Sequence, residues 1–574
     1  MHKVFSENDL GIPYTNGFNR LVVNGIKKML GLDRLNELYN ASYCENGVDF
    51  AAKVLDNLSL SYEVRGGLEN IPAQGAFIAI ANHPHGALDG LLLADLIVRR
   101  RPDSKFMGNF LLERVEPMRD MFLKVNPFDA RARRNISGVR AALEHLKNGG
   151  GLILFPAGEV STYYNNLTHC EDKPWAESMM RFIKNAGVEV LPIYISGTNS
   201  RKFHFYGKIH PSLRTVRLPL ELLNKSNKKI NIRIGAPVSK HRQKYLPDLQ
   251  QYSNYLRANV YYLEEIPEAN PSATKAMSGD QTIAKGCAKG VLAAEIASLA
   301  QKCKIMSVGT MELYLCDYGD IPHIMNEIAR LREYTFRNIG EGTGRSEDRD
   351  EFDMSYRHLF IWESHKQEIV GAYRLGMGRE ILQRSGIEGF YSYTLFEYSS
   401  KFRTILEDCI ELGRTFIVPE YQRQNKPLML LWQGILQILT ANSDYRYLLG
   451  SVTMSNSYST KAKVLMVNYF KEHHWDKTLA KMVVPRNGIG ALAKVKINTA
   501  LLKNIDDIAL IDKLIIDLDS DNMAMPVLFK KYLSQGSKFI GFNVDHDFND
   551  CLDGLAILDV RNIPMDTIKM LEKR

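Results

Sequence analysis

The segment ANHPHGALDG, residues 81–90, puts His83, His85 and Asp89 close together. A neutral imidazole can take a proton from an alcohol. It does so better when a carboxylate holds its second nitrogen and stabilises the imidazolium that forms. Asp89 could serve His83 in that way. The segment HPHGALD contains no Ser, Thr or Cys. Chemistry here would therefore be direct attack by a substrate hydroxyl with histidine as base, which is simpler than transfer through an acyl-enzyme. Taken alone, the same residues also read as a Pro/Gly turn whose Asp89 opens the next helix.

Neighbouring segments favour the chemical reading. LFPAGEVS places Gly158, Glu159 and Ser161 just after an apolar run. GNFLLERVEPMRDMF carries Arg114 and Arg119, and NPFDARARR adds Arg131, Arg133 and Arg134. Between residues 99 and 134, ten Lys/Arg stand against five Asp/Glu. That balance suits a solvated face, or a surface that holds phosphate or an acidic carrier protein.

A second constellation lies further along. Arg332, Phe336 and Arg337 have helical spacing, and the acidic cluster Asp348, Asp350, Glu351 and Asp353 follows them. Phe352 would anchor those carboxylates against a core. ELGRTFIVPEYQRQNKPLMLLWQGILQIL then reads strand, loop, helix, with Pro427 suited to the first helical position. A helix start offers unpaired N–H groups to phosphate, and Arg423 and Lys426 add charge there. Glu411 and Arg414 share one end of the strand, where Glu411 could serve as base for an amine.

The elements that must position these residues can be read from periodicity. GAFIAIAN, GLILFPAGE, VEVLPIYISG and INIRIGAPV read as strands, with LDGLLLADLIVRRR and WAESMMRFIKNAG as helices between them. Such alternation implies βαβ units around a parallel or mixed sheet, whose sites gather at the carboxyl ends of strands. NHPHGALDG and FPAGEVST both directly follow strands. PEANPSATKAMSGDQT has linker composition, and a second α/β region begins near residue 305, after a small-residue helix at 287–301. Its expected elements are strands at 310–316, 357–363, 368–376 and 411–418 and helices at 321–336 and 427–441. The organisation expected is an amphipathic helical segment at 1–59, a first α/β domain at 60–266, a linker and small helix at 267–304, a second α/β domain at 305–565 and a tail at 566–574.

A chain of 574 residues is too long for one core, and 45% apolar with 24% charged residues is ordinary for a globular protein. The net charge of +8 suits an anionic partner, such as phosphate, a membrane surface or an acidic protein. Nothing points to nucleic acid. Seven scattered cysteines with no CxxC pair read as a reduced, cytosolic chain with no disulfide frame and no metal site. No signal-peptide core and no membrane-spanning run are visible, so membrane contact would be peripheral. Residues 17–40 read as an amphipathic helix pair, packed on its own domain or lying at a lipid interface.

The blocks NHPHGALDG, FPAGEVS, VLPIYISG and IRIGAPV resemble those of the glycerolipid O-acyltransferase family, which includes the lysophosphatidate acyltransferases. The resemblance implies that His83 is the general base and Asp89 orients it. Arg114, Gly158, Glu159 and Ser161 would then bind the acceptor. The family's motif is NH-x4-D, whereas five residues separate His83 from Asp89 here, with the extra one assigned to Gly86. Ala157 stands where the family has glutamate.

RxxxF, DEFD, GAYRLG and ELGRTFIVPEYQ resemble the acyl-homoserine-lactone synthase and ornithine N-acyltransferase branch of the GNAT-like enzymes. That resemblance implies Glu411 as amine base, and substrate contacts from Arg332, Asp350, Glu351, Asp353 and Arg414. Arg423 and Lys426 would meet the donor. The loop QRQNKP lacks the glycines of a coenzyme A loop, which favours an acyl carrier protein thioester and implies no other cofactor.

In this order the two units resemble the bifunctional ornithine-lipid synthases. The expectation is two α/β acyltransferase domains, a glycerolipid-acyltransferase-like mixed sheet and a GNAT-like mixed sheet, working at the inner face of the cytoplasmic membrane. The second would join a 3-hydroxyacyl chain to an amino acid, and the first would esterify the hydroxyl of that lyso-lipid. The alternatives are a lysophosphatidate-type acyltransferase fused to an unrelated N-acyltransferase, and a non-enzymatic scaffold that binds acyl carrier protein.

Overall fold

The computed structural model describes residues 31–565 except 109–114, 125–132, 164–169, 211–213, 215–216, 247, 265–280, 300–301, 496–498, 520–522 and 547. The chain divides into two units, residues 1–265 and 266–574.

In the first unit the apolar runs become strands of one seven-stranded sheet. They are β1 (Ser61–Val64), β2 (Phe77–Ala81), β3 (Lys105–Gly108), β4 (Phe122–Lys124), β5 (Gly151–Leu154), β6 (Glu189–Ile195) and β7 (Lys229–Ile234). Their order is β1-β7-β6-β2-β5-β3-β4. All neighbours run parallel except β6 and β7. Every residue of β2 and β5 is buried, as expected of central parallel strands covered on both faces. One of the covering helices, Glu177–Ala186, stops where the sequence predicts: Gly187 takes φ 60°, a left-handed cap that costs glycine little. Helices Leu32–Ser42 and Gly47–Asn57 precede β1. The amphipathic segment expected at 17–40 lies outside the described residues up to residue 30.

The second unit holds an eight-stranded sheet. Its strands are β8 (Lys304–Val308), β9 (Met311–Asp317), β10 (Arg357–Glu363), β11 (Glu368–Met377), β13 (Cys409–Ile417), β14 (Tyr447–Met454), β16 (Lys538–Asp545) and β17 (Cys551–Asp559). A two-stranded ribbon pairs β12 (Phe396–Tyr398) with β15 (Val483–Pro485). The order is β16-β17-β14-β13-β11-β10-β9-β8, antiparallel except between β13 and β14. That parallel pair is short. Only Cys409–Glu411 meet Tyr447–Leu449, although both strands run on. Beyond Glu411 the strands diverge and a cleft opens in the middle of the sheet. The helix at the end of β13 spans Asn425–Ala441, two residues earlier than Pro427 predicts.

Candidate active sites

The first site forms where β2 ends. Asn82 is buried and clamps its loop to β6: its Nδ2 donates to the Ile195 carbonyl at 2.9 Å, and its Oδ1 accepts from the Ile195 amide at 2.7 Å. The next residues then turn back into the helix that starts at Ala87. Gly86 makes that turn with φ 84° and ψ −126°, a conformation open essentially only to glycine. A Cβ at Gly86 would lie 3.0 Å from Leu218 Cδ2. This is how the longer spacing is absorbed. His83 Nδ1 comes to 2.9 Å from Asp89 Oδ2, with Asp89 fully buried and the imidazole 18% exposed. The same Oδ2 accepts from the amides of His85 and Gly86.

Phe155, the first residue after β5, stacks on the His83 ring with centroids 4.1 Å apart. Nδ1 faces Asp89, so Nε2 is the ring nitrogen turned away from that carboxylate. His85 is a different kind of residue. It is buried, its Nε2 lies 2.9 Å from the Ser196 carbonyl, and burial lowers its pKa, so it stays neutral.

The loop after β5 supports this pair from behind. The Ser161 amide donates to the His83 carbonyl at 2.8 Å, and Ser161 Oγ donates to Asp172 Oδ1 at 2.6 Å. Asp172 also accepts from the His83 amide at 3.2 Å and from Trp175 Nε1 at 3.1 Å. Burial raises the Asp172 pKa against the pull of Ser161, Trp175 and the His83 amide. Ser161 was expected to bind the acceptor, but the structure buries it on Asp172 instead. Glu159, expected in the same role, is half-buried and ion-paired with Arg214 at 2.7 Å and Lys173 at 2.8 Å. Gly158 turns the loop at φ 68°. Arg114 lies outside the described residues. Asp172 and Trp175 escape sequence reasoning, because each is a lone residue with no motif around it; Phe155 stands inside the FPAGEVS block, but its stacking on His83 is a tertiary contact.

The second site is built on β11, β13 and helix Pro322–Arg337. Arg332, fully buried, meets Asp353 at 2.7 Å. Arg374 on β11 contacts Asp350 and lies 3.3 Å from Asp353. Arg414 lies 3.2 Å from Asp348 and 3.3 Å from Asp350. It holds φ 50°, and its guanidinium stacks over Tyr391 and Phe548. Burial alone would raise the Asp353 pKa, but Arg332 and Arg374 hold it well below the carboxylate range. The sequence brought out every acid of this network and two of its three arginines. Arg374, inside GAYRLG, was not picked out because one arginine in an apolar strand gives no signal of its own.

Glu411 closes the inner end of the cleft. It is buried and accepts from the Tyr356 hydroxyl, the Tyr391 amide at 3.0 Å and the Ser392 amide at 2.8 Å. With Arg414, Thr453, Asp545 and Asp553 it lines a cavity of about 110 Å³. Asp553 accepts from Thr453 Oγ1 at 2.6 Å, and burial pushes its pKa up to about 7. Of the expected contacts only Glu411 and Arg414 line the cavity; Arg332, Asp350 and Asp353 lie in the ion-pair network outside its lining. Glu351 is exposed beside the network, and Arg423 and Lys426 are exposed around the start of helix Asn425–Ala441.

Comparison with known proteins follows the same division. The family described as "Acyltransferase" matches residues 25–270, and the "Acetyltransferase (GNAT) domain" matches residues 331–433. A glycine N(alpha)-acyltransferase of Phocaeicola vulgatus is 27% identical over 298 residues, covering 48% of this chain and 88% of that protein. Its counterpart in Bacteroides thetaiotaomicron is 31% identical over 208 residues, 34% of this chain and 61% of that protein. A lyso-glycine lipid O-acyltransferase of Bacteroides thetaiotaomicron is 25% identical over 251 residues, 42% of this chain and 90% of that protein. The chain is an acyltransferase that carries an N-terminal acyltransferase domain and a C-terminal GNAT domain in tandem.

Proposed function

We propose that the chain makes an aminolipid in two steps. The GNAT domain joins a 3-hydroxyacyl chain to the α-amino group of an amino acid of the glycine or ornithine kind. The N-terminal domain then esterifies the 3-hydroxyl with a second acyl chain. The observation that carries this reading is the presence, in one chain, of two domains whose relatives are named for N-acylation of glycine and O-acylation of the resulting lyso-lipid. Tethering raises the effective concentration of the intermediate at the second catalyst.

In the ester-forming step His83 Nε2 takes the hydroxyl proton as the oxygen attacks the thioester carbonyl. Asp89 holds the ring in the required tautomer and stabilises the imidazolium. The thiol leaves and the proton passes on to it. In the amide-forming step the ammonium group loses a proton to a carboxylate of the cavity and the neutral amine attacks the thioester carbonyl; the C–S bond breaks, and the leaving thiolate takes up the second proton released by the nitrogen. Glu411 has both oxygens hydrogen-bonded, an arrangement that suits it to fixing residues 391–392. Asp553, with a pKa near the working pH, is better matched to accepting the proton. Arg374 and Arg414 are the guanidinium groups on the cavity wall that a substrate carboxylate would meet. The donor is an acyl carrier protein thioester, with Arg423 and Lys426 near its phosphate. The acceptor is a lipid, so the enzyme works at the inner membrane surface.

Lipid analysis by mass spectrometry, after expression in a host without aminolipids, tests this. His83→Ala should accumulate the mono-acylated amide, and Glu411→Ala and Asp553→Asn should lose both products. Undiminished diacyl lipid from His83→Ala would remove the role given to that histidine.

A further inference from the structure

Helix Arg201–Ile209 has two unlike faces. Its inner face is fixed to the first domain. Phe203 is fully buried, and His204 is held between Thr162 Oγ1 and Thr198 Oγ1, each 2.9 Å from a ring nitrogen. Thr162 follows Ser161, whose amide holds the His83 carbonyl. The helix is therefore braced against the loop that supports the His83–Asp89 pair.

The outer face should be polar in a helix that merely covers a core. Instead Phe205 is 62% exposed, Ile209 60% and Tyr206 37%. With Lys202 they fall at i, i+3, i+4 and i+7, one continuous stripe. Tyr163, also exposed, meets the His204 ring edge-on at 4.8 Å and extends the apolar surface toward the supporting loop. Cations flank the stripe. Arg201, Lys202 and Lys208 are exposed with no acidic partner among the described residues, and Arg217 lies over the Tyr206 ring at 5.0 Å. No Asp or Glu occurs between Ser200 and Leu220.

We infer that this face lies on an anionic lipid bilayer, with Phe205, Tyr206 and Ile209 entering the boundary between headgroups and acyl chains and the cations meeting lipid phosphates. Apolar side chains buried a few ångströms deep and basic residues at the rim are what interfacial helices require. An acidic carrier protein would be met by the same cations, but it gives no reason to expose a phenylalanine and an isoleucine one turn apart. The inference rests on the reading that the acceptor is a lipid: it sets the membrane surface beside the histidine that would activate the lipid's hydroxyl.

The full chain should be sedimented with vesicles of phosphatidylcholine alone and of phosphatidylcholine mixed with phosphatidylglycerol. Wild type should favour the anionic vesicles. Phe205→Ser with Ile209→Ser, and Lys202→Glu with Lys208→Glu, should each lower that partitioning roughly tenfold or more. A second contact elsewhere could hold the variants on the vesicle, so Ile209→Trp supplies a local readout. Its fluorescence should be quenched by lipids brominated in the acyl chain, beyond the quenching of wild type. Absence of that extra quenching overturns the proposal, as does loss of acyl carrier protein binding in the charge-reversed variant with vesicle binding intact. O-acylation of detergent-dispersed acceptor should survive in all three variants. If no variant and no wild type acylates that acceptor, the ester-forming reading fails while the vesicle result still stands or falls alone.

Discussion

One oxygen of Asp89, Oδ2, serves the His83 ring at 2.9 Å and the amides of His85 and Gly86 at 2.9 and 3.0 Å. The carboxylate that faces the proposed base is also the group that ties down the start of the helix at Ala87. Asp89→Asn can still accept from the two amides, but it brings an amide donor into a fully buried position and removes the charge that steadies an imidazolium. Ester formation should fall about 10²–10⁴-fold. Stability should fall by about 1–3 kcal/mol. Amide formation in the other domain should be unchanged, and product analysis beside thermal unfolding separates these effects.

Gly86 tests the spacing itself. Gly86→Ala puts a Cβ 3.0 Å from Leu218 Cδ2 in a backbone conformation that L side chains avoid. A cost of about 1–3 kcal/mol is expected. The loop should relax by moving His83 away from Asp89, so ester formation should fall further than the melting temperature alone explains.

Arg374 is almost completely buried between two carboxylates. Arg374→Met leaves Asp350 and Asp353 facing Arg332 and Arg414 with one cation fewer. Breaking a buried pair from one side costs about 3–5 kcal/mol. Adding Asp353→Asn to Arg374→Met should recover part of that loss in denaturant unfolding, and a purely additive double variant would refute the coupling.

Asp553 gives a dependence on pH. Burial and, less strongly, the like charge of Asp545 push it up to about 7, against Thr453 and Arg414. Glu341, on the wall of the same cavity as Glu411, is pushed up to about 8 by burial and by Asp553. A carboxyl that is protonated in the folded chain but already ionised in the unfolded one stabilises fully below its unfolded value, here 3.8, and that stability is lost as pH rises through about 7. The melting temperature of the second unit should therefore decline across that window, and Asp553→Asn should flatten the decline. Amide formation should move the opposite way, rising as Asp553 ionises. An unchanged pH–rate profile in Asp553→Asn would take the proton-accepting role from it.

Much of this fold is legible because strongly periodic segments declare themselves. β10 spans Arg357–Glu363, as its apolar run predicts, and the helix before it is displaced by a single residue. The short strands β1, β3 and β4 went unread, since three or four residues carry no period and their pairing is decided by partners far away. The sites divide in the same way. His83 and Asp89 stand in one motif, and so do Asp350 and Asp353. Asp172, Arg374 and Asp553 act through tertiary contacts with residues 89, 24 and 100 positions away, which no local pattern records. Ser161 and Glu159 show the converse: they lie in a recognisable block, and the fold draws their side chains into internal bonds that the block does not announce.

The parting of β13 and β14 after three paired residues leaves two rows of main-chain amides and carbonyls without a strand neighbour, inside a sheet. On the rim of a sheet such rows invite other polypeptides and seed aggregation. Here they lie within the sheet, beside the cavity that Glu411, Arg414 and Thr453 line.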